Sequence, residues 1–190
     1  MCLQLINHIR NFVELSDDDA EFISSKITLL KLKKKNFVLT PGKICKANYF
    51  VVSGLMRLYF INKKDVEQIT QFALENWWIT DYDSIDTKRP SHFYIQAIED
   101  SEVLVLDPET EKEIVAQVPV FEHYLRAILQ KAFTASQRRM EMLLNMTDEE
   151  RYRNFSTRFP DFNQRVPQYM VASFLGVTPQ FISRVRAKKV

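Results

Sequence analysis

Thr178, Gln180, Ser183, Arg184 and Lys188 are spaced so that one short helix would bring all five side chains to its outer surface. Each can make directional hydrogen bonds. A glutamine amide pairs bidentately with adenine and a guanidinium with guanine, while hydroxyls and an ammonium suit base edges and phosphates. Gln168, a little upstream, adds another donor of the same kind. This is chemistry for reading a nucleic acid rather than for turnover. Nowhere does a nucleophile stand with a base, so no enzyme and no catalytic residue is expected. His8, His92 and His123 are far apart and lack Asp, Glu or Cys at ligand spacing. Two cysteines, Cys2 and Cys45, make neither a disulfide framework nor a cluster site. No metal and no cofactor is expected.

The outward set needs a rigid support, and the flanking sequence supplies one. An apolar stretch opens at Pro167 and stops at Gly176; Thr178 can then cap a second helix with Pro179 in its first turn. Ala172 is small where the two helices would cross, and Leu175, Val177, Ile182 and Val185 supply the apolar contacts. Two short helices around so tight a turn form a helix-turn-helix, whose second helix fits the major groove of double-stranded DNA. The plainer alternative is a helical hairpin that caps a domain. Charge favours the first reading. The whole chain carries only +2, but residues 151–190 carry +7 and the remainder −5, so phosphate attraction is concentrated where base reading is expected.

Upstream the periodicity differs. Leu3 to Val13 reads as a helix, and Ser16 with Asp19 matches a capping box for a second one, to about Ile27. Alternating segments then follow at Ile27–Leu32, Phe37–Leu39, Tyr49–Val52, Leu55–Ile61, Val66–Leu74, Phe93–Ile98 and Val103–Leu106, with turn signals such as Pro41-Gly42 between them. Strands so short and so regularly spaced predict a small barrel or jelly roll. The lysines between Lys31 and Lys35 read as a solvated turn. Pro108 starts a helical region, and Pro119 begins a helix that meets no breaker before Met146, about 40 Å long. One face is largely apolar, through Leu125, Ile128, Leu129, Ala132, Ala135, Met142, Leu143 and Met146, although Ser136 and Arg139 interrupt it. It either packs along its own barrel or forms the seam of a two-fold dimer; the dimer is favoured because helix-turn-helix proteins read paired half-sites. Thr147 to Glu150 is another capping box, which puts the domain junction there.

The expected fold class is therefore α+β: an N-terminal β-roll over residues 1–118, a dimerisation helix over 119–146 and an all-α helix-turn-helix domain over 147–190. With 190 residues, 46% apolar and 26% charged, the chain is an ordinary globular one. It shows no signal peptide and no membrane-spanning run, so a cytoplasmic location is expected.

Tyr49-Phe50-Val51-Val52-Ser53-Gly54 with Leu55-Met56-Arg57-Leu58-Tyr59, and Ala172-Ser173-Phe174-Leu175-Gly176-Val177-Thr178 with Ile182-Ser183-Arg184, resemble the barrel and the DNA-reading motif of Crp/Fnr regulators. The likeness covers nearly the whole chain and is greatest to the short members found in Bacteroidetes. It implies a cyclic-nucleotide-binding-like effector domain, a homodimer and transcriptional control. It leaves open an unidentified small-molecule effector and RNA polymerase as further partners. The alternative is a nucleotide or metabolite sensor whose main output is not DNA binding.

Two departures qualify the resemblance. Family members that bind cyclic AMP carry a Gly-Glu pair for the ribose and an Arg-Ser pair for the phosphate. Here the first region reads Asn76-Trp77-Trp78-Ile79-Thr80-Asp81-Tyr82, and in Lys88-Arg89-Pro90-Ser91-His92 proline replaces the arginine. Arg57, Trp78, Arg89 and Ser91 are the residues left as candidates for an effector pocket, and no response to cyclic AMP is expected. Trp77 and Trp78 beside Asp81, Tyr82 and Asp83 either line such a pocket or pack as core. Second, many relatives have a β-wing after the recognition helix, and here the sequence stops four residues after Arg186. Phosphate contacts are then expected from Arg165, Gln168, Lys188 and Lys189.

Overall fold

The computed structural model describes residues 2–187, and Lys188 and Lys189 lie outside them. Contacts divide the chain into two compact units, Met1–Phe60 with Thr70–Leu129 and Ile61–Ile69 with Gln130–Val190.

The first unit opens with α1 (Leu3–Arg10) and α2 (Asp17–Lys26). Helix α1 ends one turn earlier than its periodicity suggests. Ser16 caps α2 as its sequence predicts, its hydroxyl accepting from Asp19 N at 3.1 Å. Eight strands follow: β1 (Thr28–Leu32), β2 (Phe37–Leu39), β3 (Asn48–Ser53), β4 (Met56–Ile61), β5 (Glu67–Ala73), β6 (Trp78–Ile79), β7 (Tyr94–Ala97) and β8 (Ser101–Leu106). A short helix, α3 (Tyr82–Thr87), separates β6 from β7. Neither β6 nor α3 is marked by a periodicity long enough to read. The strands form two four-stranded sheets, in the orders β1-β8-β3-β6 and β2-β7-β4-β5, which is a jelly-roll arrangement.

Alternation along the strands decides what each face meets. Tyr49 and Val51 of β3 and Val103 of β8 join Leu39, Met56, Leu58, Ile95 and Ala97 in the core between the sheets. The intervening residues Phe50, Trp78, Leu104 and Leu106 point the other way, into a second core with Leu5, Ile9 and Ile23 of the first two helices. Helix α4 (Pro108–Gln117) and the start of α5 (Val120–Asn145) complete that layer with Ile114, Phe121 and Tyr124. Asp107 caps α4 by accepting from Glu109 N and Thr110 N, each at 3.0 Å. The Thr110 amide bond, ahead of the others, holds its carboxyl below the usual range.

The second unit contains the rest of α5, then α6 (Asp148–Arg158), α7 (Phe162–Arg165), α8 (Gln168–Leu175) and α9 (Pro179–Ala187). Thr147 makes both halves of the predicted capping box with Glu150. A cluster of Phe155, Phe159, Phe162 and Phe174 fills the centre, with Phe155 and Phe162 edge to face at 5.3 Å. Here α5 corrects the expectation of one apolar face broken by Ser136 and Arg139. Helical spacing sorts it into two stripes. Arg139, Met142, Leu143 and Met146 are half-buried, whereas Phe133, Met140 and Leu144 are exposed, as is Ser136.

Gly54 joins β3 to β4 with φ +94°, and a Cβ there would sit 2.7 Å from both Asp100 O and Ser101 Cα. Backbone cannot retreat as a side-chain tip can. Gly54→Ala should therefore destabilise the protein by about 3 kcal/mol, read as a lower urea midpoint with unchanged slope.

Candidate nucleic-acid interface and effector barrel

Helix α8 ends at Gly176, whose φ of +69° lets Gly176 N and Val177 N turn back to the carbonyls of Ser173 and Ala172. Thr178 Oγ1 then accepts from Phe181 N at 3.1 Å and caps α9. Ala172 and Leu175 of the first helix are fully buried, and Ile182 and Val185 of the second are buried beside them. Thr178, Gln180, Ser183 and Arg184 are all exposed on α9. The structure thus brings the predicted quartet to one accessible surface backed by an apolar core. Because Thr178 Oγ1 is used as an acceptor, its own proton stays free to donate outward.

Gln168 has a more specific place than its sequence suggests. Its Nε2 donates to Ser183 Oγ at 3.0 Å, tying the first helix of the motif to the second. Ser183 is thereby oriented, and Gln168 serves the surface through it. Lys188 lies outside the described residues. The basic patch is also smaller than composition implies. Arg151 is buried, donates to Met146 O at 2.9 Å at the end of α5 and pairs with Asp148; Arg153 pairs with Glu149 at 2.6 Å. Capping of a helix C-terminus by a cation is favoured by the helix dipole.

The four candidates for an effector pocket do not converge. Trp78 faces the helices, not the space between the sheets, and its Nε1 donates to Tyr124 Oη at 2.8 Å. Tyr124 also shares a 2.9 Å hydrogen bond with His8 Nδ1, and burial pushes its phenol well above the ordinary range. Arg57 is buried on β4, bonded through Nε and Nη2 to Gln96 Oε1 at 3.0 and 2.7 Å and lying 4.0 Å over the Tyr59 ring. Tyr59 in turn stacks on Tyr94 at 4.7 Å. Arg89 is exposed, and its carbonyl accepts from Ser84 Oγ. Ser91 is buried and donates to Asp81 Oδ2 at 2.6 Å, while Asp81 Oδ1 accepts from Ser84 N at 3.3 Å. Asp81 was visible in the sequence only as one carboxylate among several. A surface groove of about 620 Å³ lies elsewhere, against Gln4, Asn7, His8 and Asn76.

Among the described residues no three His, Cys, Asp or Glu side chains are grouped to hold a metal, and no helix is long and apolar enough to cross a membrane. Tyr124→Phe would leave the Trp78 indole N–H buried without its acceptor. It should cost about 1–3 kcal/mol by denaturant titration. A Trp78 that faced an open lumen would show no such dependence.

Residues 29–118 match the family model of the cyclic nucleotide-binding domain. The chain is 26% identical over 166 residues to the transcriptional activator protein Anr of Pseudomonas protegens, covering 81% of this chain and 67% of that one. It is 24% identical over 165 residues to the regulatory protein HlyX of Actinobacillus pleuropneumoniae, covering 81% and 68%. Among solved structures, FixK2 from Bradyrhizobium japonicum superposes with a TM-score of 0.71 at 17% identity, over 85% of this chain and 83% of that one. A transcriptional regulator of the Crp/Fnr family from Eubacterium rectale gives 0.68 at 16% identity, over 92% and 85%. A jelly roll carrying this domain, a long helix and a capped helix-turn-helix with an open reading face make the chain similar, over most of its length, to regulators of the Crp/Fnr type.

Proposed function

We propose that this chain is a DNA-binding transcriptional regulator that works as a homodimer and reads two half-sites through α9. The observation that carries the reading is the exposed face of Thr178, Gln180, Ser183 and Arg184 on a helix whose opposite face is locked into a core. The dimer is supported by the outer stripe of α5. Leu129, Phe133, Met140 and Leu144 are 44, 65, 59 and 77% exposed, at spacings that form one continuous seam along a helix. A row of large apolar side chains in water is unfavourable, and an identical helix on a two-fold axis would cover it.

A barrel indifferent to cyclic AMP is supported by Asp81. The one serine retained from the phosphate-binding pair donates its proton to a carboxylate, so a phosphate brought to Ser91 would meet negative charge. The effector, where there is one, is of another chemistry. The regulator acts with DNA and RNA polymerase in the cytoplasm.

Selection of bound duplexes from a randomised pool tests the reading directly, and recovery of a two-fold-related sequence is the expected result. On that duplex Arg184→Ala should cost about 1–3 kcal/mol and relax preference at one base position, while Lys188→Ala should weaken all duplexes alike and lower the salt slope by about 1. Unchanged affinity in both variants, measured by fluorescence anisotropy, would overturn the assignment of α9. The seam is tested separately. Phe133→Asp combined with Leu144→Asp should give a monomer by analytical ultracentrifugation, with the fold retained by circular dichroism.

A further inference from the structure

Strand β5 is the last in its sheet, so one side of its backbone has no ladder partner. Within the second unit that open side is occupied by side chains of the DNA-reading region. Ser173 Oγ, on the first helix of the motif, donates to Glu67 O at 2.6 Å and accepts from Ile69 N at 3.0 Å. One hydroxyl thus meets the strand as a neighbouring strand would. Arg139 Nη2 donates to Ile69 O at 3.1 Å and to Phe174 O at 2.9 Å, and its guanidinium lies 4.4 Å over the Phe174 ring. Phe174 O belongs to the last turn of α8, where a cation is favoured. Three elements therefore meet at two side chains: α5 through Arg139, α8 through Ser173 and Phe174, and β5 through its backbone.

The position of this junction on α5 gives it a further meaning. Arg139 lies on the inner stripe, and on the other side of the same turns stand Phe133, Met140 and Leu144. In a dimer sealed by that outer stripe, the separation and rotation of the two α9 helices depend on how firmly α8 is held to α5. We propose that Arg139 and Ser173 are positioning residues that set the half-site spacing this protein accepts, by fixing α8 against α5 and the edge of β5. The inference rests on the dimeric reading proposed above. Neither residue reaches DNA; both act through the placement of α9.

The test uses the full-length protein and the duplex selected with it. From that duplex come versions with one base pair added to or removed from the centre, and one carrying a single half-site. One inserted pair rotates the half-sites by about 35° relative to each other, so a rigid dimer loses simultaneous engagement. Wild type should prefer the selected spacing by about tenfold or more. Arg139→Met keeps the apolar stem and removes the donors, and Ser173→Ala removes the hydroxyl; in each that preference should fall by about fivefold while single-half-site affinity stays within about twofold. Preserved spacing preference in both variants overturns the proposal. So does a loss of single-half-site affinity equal to the loss on the full duplex, which marks a purely structural role. Failure to select any duplex, or a wild-type protein that is monomeric on it, overturns the dimeric reading itself and this inference with it.

Discussion

A helix that serves several surfaces at once has to divide its circumference, and α5 is under that constraint along its whole length. Its first turns are fixed by Phe121 and Tyr124, both fully buried in the helical core of the first unit. Farther on, four inward residues are half-buried, Arg139 among them bonding to α8, and three outward ones are exposed. An α-helix has 3.6 residues per turn, so neither stripe can widen without narrowing the other. That geometry explains why a guanidinium stands where hydrophobicity alone would place leucine. Arg139 has both the reach to bond two carbonyls and an aliphatic stem that packs as an apolar residue does.

In the jelly roll, the anion that Ser91 serves belongs to the protein itself. Asp81 is held by Ser91 from one side and by the Ser84 amide, in the first turn of α3, from the other, so each of its carboxylate oxygens accepts a hydrogen bond. The same loops are knitted by Gly42 N to Ser91 O and Ser91 N to Lys43 O, both at 2.9 Å. An internal carboxylate thus helps to hold these loops together.

Much of this was legible in the sequence because the signals are local. Ser16, Thr147 and Thr178 each cap the helix that follows, since a side-chain oxygen and the amides it serves are only a few residues apart. Gly176 marks its turn for the same reason. What escaped is what depends on which way a face points. Trp78 could be read as pocket lining or as core, because a strand with apolar residues on both faces gives no cue to which face meets the other sheet and which meets helices. Arg151 counted as a phosphate-attracting charge and proved to cap α5. Asp81 and Ser91 are ten residues apart, and nothing in either position announces their bond.

The contact of Ser173 with β5 has a bearing on solubility. A strand edge with free amides and carbonyls is a template for adding foreign strands, and natural sheets blunt such edges with charge, proline or a covering element. Here the cover is the DNA-reading motif itself, beside a hairpin end on which Ile61 and Val66 are exposed. Any excursion that lifts α8 away uncovers an aggregation-prone ribbon. The Ser173 hydroxyl therefore guards a strand edge as well as holding its helix.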